Sequence, residues 1–356
     1  MGTDQIDVST YAPGFKMAIN GTELKPEVAY SILNLKIEQE LNKTNSFSFE
    51  VQDEFNAGRF TWLETDLFHI ANTVSISIGY THHLVKFLEG KIKSVNGSFN
   101  TGCAPTFTVE GMDKAYDFLI TPSETAVFKE KHDSDTVREI ARLADLKSEV
   151  DATSAVVGVK TKAGGKSYLE FLQRLAKDNN YEFYLGGRRI HFRKRKYDAP
   201  VATLTWGKDL IRFEPQLNTT SAITEVIVRG WDASAKKPIV GHAKAGSETV
   251  QEGGKRTSSQ VAQSLFGDVV KVITDQPVHS QDQATKLAQS ELENASNNLL
   301  QATVDIVGMP QLTPGRCVKI DGFGALFSGK YYIIKATHSL SADGYRTTLT
   351  TQRNAL

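Results

Sequence analysis

Ala163-Gly-Gly-Lys-Ser167 carries the Gly-Lys-Ser core of a phosphate-binding loop, whose backbone N–H groups would cradle a nucleotide's phosphates. That loop needs a glycine five residues before the Gly of its Gly-Lys pair, and Lys160 stands there instead. The segment therefore reads as a flexible lead into a helix. Thr81-His-His83 offers two imidazoles, but adjacent strand residues point to opposite faces and no thiolate cluster accompanies them, so no metal is expected. His132-Asp-Ser-Asp135 reads as a polar helix start with its acids at the positive end. Cys103 and Cys317 are too few for a disulfide framework or a thiolate zinc site and are expected as free thiols. There is no Gly-x-Ser-x-Gly elbow, no cysteine-nucleophile signature and no His-Glu-x-x-His helix. No catalytic residue, metal site or cofactor is assigned, and the chain is not expected to be an enzyme.

The strongest local charge is Arg188-Arg-Ile-His-Phe-Arg-Lys-Arg-Lys196. Its alternation with Ile190 and Phe192 suits the wet face of a hairpin strand. The sharper reading makes Arg188, Arg189, Arg193, Lys194, Arg195 and Lys196 a dock for an acidic neighbour. The whole chain has no basic excess, with 41 Lys plus Arg against 41 Asp plus Glu, so specific nucleic-acid binding is not expected. No run of about 18 apolar residues occurs and the first residues lack a leader pattern, which suggests folding in the cytosol without a membrane anchor. At 356 residues, 40% hydrophobic and 23% charged, the chain is globular and long enough for two or three domains.

The elements that would hold any site are mostly strands. Leu33-Asn-Leu-Lys-Ile-Glu-Gln-Glu-Leu41, Ser46-Phe-Ser-Phe-Glu-Val51, Val74-Ser-Ile-Ser-Ile78, Leu88 to Val95 and Thr106 to Gly111 alternate wet and dry, the pattern of an antiparallel barrel or sandwich. Helical spacing takes over in Ser134 to Leu146 and Ser167 to Asn180, the latter opened by a Ser167/Glu170 capping box. A hairpin turning on Gly186-Gly187 follows. Strands return at Ala202 to Trp206 and Ala222 to Asp232. Residues 241–259 are rich in Gly, Ser, Lys and Glu and read as a mobile loop, and Ser280 with Gln283 opens a helix to about residue 299. Cys317 to Ile320, Tyr331 to His338 and Tyr345 to Gln352 are three closing strands bounded by Gly and Pro. The expected domains are a β-barrel at 1–115, an α+β unit at 116–200 and a second barrel at 201–356.

Three stretches resemble the phage late control D family, the baseplate hub of contractile tails, and the hub portion of type VI secretion spike proteins. One is the helix-to-strand segment with Ser167, Glu170, Phe171, Leu172, Arg174, Leu175, Ala176, Tyr181 and Phe183. Another is Val228-Arg229-Gly230-Trp231-Asp232. The third is the closing stretch with Leu312, Pro314, Gly315, Gly329, Tyr331, His338, Gly344, Tyr345 and Arg353. The resemblance implies a β-rich α+β fold with two similar antiparallel barrels flanking a small α+β domain, assembled as a trimeric ring. Its implied partners are two further copies of itself, the tail tube protein, a threefold spike, inner baseplate proteins and the tape-measure protein. The larger type VI proteins carry a fused needle after this region; Leu356 falls just past the barrel, so here the spike is expected as a separate protein. The implied place is the baseplate of a virion or tail-like particle, and the implied role of His338 is structural, within the barrel or to Tyr345.

An internal echo accompanies the resemblance. Val74 to Tyr80, Phe87 to Val95 and Pro105 to Glu110 parallel Val318 to Phe323, Phe327 to Lys335 and Tyr345 to Thr350, with Gly90-Lys91 set against Gly329-Lys330. Two unrelated β meanders would look similar. Two repeats per chain and three chains would give six similar barrels about one axis, letting a threefold spike meet a sixfold tube. A tail-associated cell-wall hydrolase using a carboxylate pair and a β-rich receptor-binding protein remain open.

Overall fold

The computed structural model describes residues 12–81, 83–153, 156–186, 188–219, 222–232, 235–249, 252 and 255–355. His82 of the paired histidines, Gly187 of the hairpin turn, four loop positions (250, 251, 253 and 254) and Leu356 lie outside them. The first third contains β1 (Pro13–Ile19), β2 (Thr22–Glu23), α1 (Pro26–Tyr30), β3 (Ile32–Glu40), β4 (Ser46–Gln52), β5 (Phe55–Asn56), β6 (Arg59–Phe60), β7 (Thr73–Tyr80), β8 (His83–Ser98) and β9 (Thr106–Asp113). The middle contains α2 (Tyr116–Ile120), β10 (Ala126–His132), α3 (Asp133–Leu143), β11 (Lys147–Val150), β12 (Val156–Lys162), α4 (Tyr168–Asn179), β13 (Tyr181–Gly186) and β14 (Arg189–Lys194). The rest contains β15 (Thr203–Thr205), β16 (Leu210–Leu217), β17 (Glu225–Asp232), β18 (Lys237–Lys244), α5 (Ser258–Phe266), β19 (Val270–Ile273), α6 (Gln281–Asn297), β20 (Leu300–Val307), β21 (Cys317–Asp321), α7 (Gly324–Phe327), β22 (Gly329–Ser341) and β23 (Gly344–Arg353).

Thirteen strands form one sheet along the path β16-β20-β23-β22-β3-β4-β9-β8-β7-β1-β2, with β21 on β22 and β15 on β21. The sheet wraps two cores. Alternating residues of β3, β4, β7, β8 and β9 bury Leu35, Phe49, Ile76, Ile92 and Val109 in one cluster. Leu204, Val304, Ile320, Ile333 and Leu349 fill the other, inside β15, β16 and β20 to β23. The fold is β-rich α+β with two similar barrel-like units. They share β22: it carries β23 along one edge, while its other edge holds β21 at residues 329–332 and β3 at 335–340.

The middle segment has its own core, where Val137, Ile140, Leu172 and Leu175 pack over Phe183, Ile190 and Phe192. Ser167 and Glu170 close the capping box in both directions. At α6 the Ser280 hydroxyl accepts from Gln283 N–H, but Gln283 reaches back to the N–H of His279 rather than that of Ser280.

Two expectations need correction. The strand at Ala222 to Asp232 does not line the second core: β17 pairs with β18 and β19 in a separate sheet, and α6 covers it on one face. Gly241 permits that contact, since a Cβ there would lie 2.2 Å from the Ala284 carbonyl carbon. The loop expected at 241–259 is structured at both ends, by β18 up to Lys244 and by α5 from Ser258. Thr257 and Gln260 form the capping box that starts α5, and Glu248 is buried against the Ser259 hydroxyl.

Candidate docking edges and the buried junction

The two barrel-like units are copies of one strand pattern. In the first, Ile92 N–H donates to Asn72 carbonyl at 3.0 Å and Ala71 N–H donates to Ile92 carbonyl at 2.9 Å. In the second, Ile333 N–H donates to Arg316 carbonyl and Gly315 N–H to Ile333 carbonyl, both at 2.9 Å. The register along the next strand then slips directly after each isoleucine, between Ile92 and Ser94 and between Ile333 and Lys335. Thr106 and Arg346 match on β9 and β23, Phe49 and Val304 on β4 and β20, and Leu35 and Phe213 on β3 and β16. Even the outer strands bulge at matching places, between Ile32 and Asn34 and between Leu210 and Arg212. There Asn34 donates to Glu50 at 2.8 Å and Arg212 to Asp305 at 2.7 Å.

This register corrects the middle of the sequence echo. Gly90 lies opposite Val74, whereas Tyr331, not Gly329, lies opposite Val318. The Gly-Lys steps are thus two residues out of phase, an even slip that keeps each side chain on its face. The parallel between Val74 and Val318 stands.

His338 lies where β22 meets β3, opposite Ile37, and is fully buried. Its Nε2–H donates to Leu312 carbonyl at 3.2 Å, which leaves Nδ1 to accept from the Tyr345 hydroxyl at 2.8 Å. Burial holds the imidazole down at about 4, so it is neutral. Tyr345 packs on Gly308, where a Cβ would sit 2.1 Å from the ring. Arg353 is buried as well, donating to the Ser328 carbonyl at 2.8 Å and lying 5.7 Å over the Tyr331 ring. Leu312 and Tyr331 are core, Pro314 borders a small cleft beside Tyr184, and Gly344 takes a positive φ of 101° at the β22–β23 turn.

Glu182 on β13 is the node between the middle segment and the second barrel-like unit. The Tyr332 hydroxyl donates to it, and Arg193 and Arg195 approach its oxygens at 3.5 and 3.4 Å. The same arginines reach across the junction, Arg193 to Gly315 carbonyl at 2.5 Å and Arg195 to Gln352 at 3.2 Å. The basic run is therefore largely matched within the chain, because Arg188 pairs with Asp145, Arg189 with Glu149 and Lys196 with Asp151. A docking role for Arg193 and Arg195 is corrected on this ground, since both side chains are spent on Glu182; Lys194 is exposed.

The residues considered for chemistry are scattered. Lys162 of the false phosphate loop donates to four backbone carbonyls, including Glu124 at 2.8 Å. Asp133 pairs with Lys160 at 2.6 Å. Cys103 is exposed and Cys317 buried, both free. Among the described residues no group of three or more His, Cys, Asp or Glu could hold a metal, and no helix is long and apolar enough to cross a membrane. A polar cleft of about 270 Å³ between α4 and α6 is lined by Asn42, Lys177, Asn180, Glu182 and Glu293. Its groups already pair with one another, as Asn180 does with Glu293 at 2.8 Å. Of the helical motif residues, Arg174 donates to Thr161 carbonyl at 2.8 Å and Leu175 and Ala176 are core. In the Arg229-Gly230-Trp231 group, Gly230 packs on Val278, while Arg229 and Trp231 face solvent, the indole 60% exposed. Sequence reasoning missed Glu182 and Tyr332, which carry no motif; the only signal was a charged residue inside an apolar strand run.

The sequence matches the family model described as the Alg8 N-terminal domain over residues 9–342. The chain belongs to that family. Among solved structures, this member is similar to a 43 kDa tail protein of prophage MuSo2 from Shewanella oneidensis, at 14% identity over 96% of this chain and 98% of that one, with a TM-score of 0.75. It is similar to a tail protein from Neisseria meningitidis at 15% identity, 96% and 97% coverage and a TM-score of 0.70. It is also similar to the E. coli c3393 protein, described as a type VI secretion component resembling the T4 tail proteins gp27 and gp5, at 13% identity, 96% and 77% coverage and a TM-score of 0.61. These likenesses place this family member in the tail-protein fold. No curated protein matches the sequence.

Proposed function

We propose that this chain is the hub of a contractile tail or tail-like injection machine, a structural protein that joins a sixfold tube to a threefold spike. The observation that carries the reading is the duplicated barrel pattern, matched down to its bulges. Three chains with two equivalent barrels each present six similar surfaces towards a tube and three towards a spike. The tail-protein fold and the sequence resemblance support it. So does the pairing of Glu182 with Arg193 and Arg195, which turns these buried charges inward to the chain's own junction. The work is mechanical: the hub ends the tube, seats the spike and passes on the thrust of contraction within the baseplate, with inner baseplate proteins and the tape-measure protein as neighbours. Electron microscopy of particles carrying a tagged copy tests this. Tag density in three copies between tube end and spike is the expected result, and density along the tube or at fibre tips contradicts it.

A further inference from the structure

The matched register makes β3 the equivalent of β16 and β22 the equivalent of β8. Within one chain β3 is not an edge, because it pairs with residues 335–340 of β22. Among the described residues its equivalent β16 pairs with β20 alone along residues 211–217. The segment that corresponds to 335–340 is 94–99, the end of β8 and the residue after it. Among the described residues no backbone hydrogen bond reaches it on the side away from β9. One chain therefore presents both halves of a joint whose filled version it also contains.

We infer that β16 of one copy pairs antiparallel with residues 94–99, at the end of β8, in the next, repeating between chains the β3–β22 joint found within the chain. This rests on the hub reading and deepens it: barrels would follow one another around the ring through alternating internal and external joints of one geometry. Carrying the β3–β22 register across sets Gln216 against Asn96, Glu214 against Ser98 and Leu217 against Val95, with no like charges opposed. Leu217 is 42% exposed, whereas Gln39, its equivalent in the filled joint, is 7% exposed. An apolar residue is thus left in water where a polar one is covered.

Pro215 shapes this joint. Asn218 sends its N–H inward to Leu299, so by alternation Gln216 and Glu214 face β20 while residues 213, 215 and 217 face outward. The missing N–H of Pro215 therefore points away from the sheet, as proline on an edge strand requires. It blunts the edge of the isolated chain against indiscriminate pairing. It also leaves the external joint one hydrogen bond short of the internal one, so the ring separates into whole chains before any chain is split.

Glu214 and Gln216 would form non-hydrogen-bonded pairs, the closer kind in an antiparallel ladder, which suits a disulfide. In a Cys103→Ser background, Asn96→Cys with Gln216→Cys should give a reducible covalent trimer when the full chain is mixed with its spike and tube proteins. Cys317 can stay, being buried with its thiol pushed up to about 11. Ser94→Cys with Glu214→Cys is four residues out of register and should give no covalent trimer. A particle of threefold mass by light scattering without the matched crosslink, or with equal crosslinking in both variants, overturns the strand assignment and leaves the hub reading intact. A chain that stays monomeric by mass with both partners overturns both.

Discussion

Ile92 and Ile333 occupy the same position in two copies of one sheet. Each donates to and accepts from a neighbouring segment at 2.9 to 3.0 Å, and each is followed by a slip in register. The residues feeding them, Ala71 and Gly315, both hold positive φ, 73° and 82°. A left-handed turn thus sets the start of each meander, and only one copy spends a glycine on it.

That asymmetry predicts opposite effects. Ala71→Gly relieves a strained alanine and should be neutral or stabilising by up to about 1 kcal/mol. Gly315→Ala adds the same strain and a Cβ 2.8 Å from an Arg193 nitrogen, so it should cost more than about 1 kcal/mol. Urea midpoints of the two variants measure both.

Glu182 supports two arginines at once. Glu182→Gln leaves them facing a neutral amide in a largely buried site, with an expected loss on the order of 3 kcal/mol. Tyr332→Phe removes only the hydroxyl donor and should cost about 1 to 2 kcal/mol. Equal losses in chemical denaturation would contradict the assignment of Glu182 as the node.

His338 makes stability depend on pH. The folded imidazole, pushed down to about 4 by burial, refuses a proton that the unfolded chain accepts near 6.5. Its contribution is complete above pH 6.5 and falls as pH drops towards 4. Between pH 7 and pH 5 the wild type should lose about 2 kcal/mol more than His338→Gln. Asp113, raised to about 6 by burial, acts in the opposite sense: its contribution is present below about 3.8 and is lost as pH rises to 6. Comparing wild type with variant cancels that term.

The motif residues divide into core and surface. Tyr331→Ala should cost about 3 to 5 kcal/mol, since the ring is fully buried. Trp231→Ala should change stability by less than about 0.5 kcal/mol, since the indole is 60% exposed. Thermal melts distinguish them, and a large loss at Trp231 would mean that its ring is packed.

What the sequence made legible is what one strand or helix decides alone. Ser46 to Val51 alternates and is β4, and Ser167 with Glu170 is a helix start in both. What it hid is pairing between distant segments. Nothing in the alternation of Tyr331 to His338 says that one edge of β22 serves two different strands, because hydrogen-bond partners leave no mark on side-chain pattern. The basic run looked like surplus charge because Glu182, its buried partner, sits on the adjacent strand inside an apolar stretch. The Arg229-Gly230-Trp231 motif gave no hint that its tryptophan faces water, since an aromatic in a strand reads as core.

The central claim is that two like barrels per chain serve a threefold assembly. The solution mass of the purified chain by light scattering, alone and with its spike and tube proteins, tests it most directly. Three times the chain mass, either alone or on adding spike, is the predicted result; a chain that remains a monomer in the presence of both contradicts it.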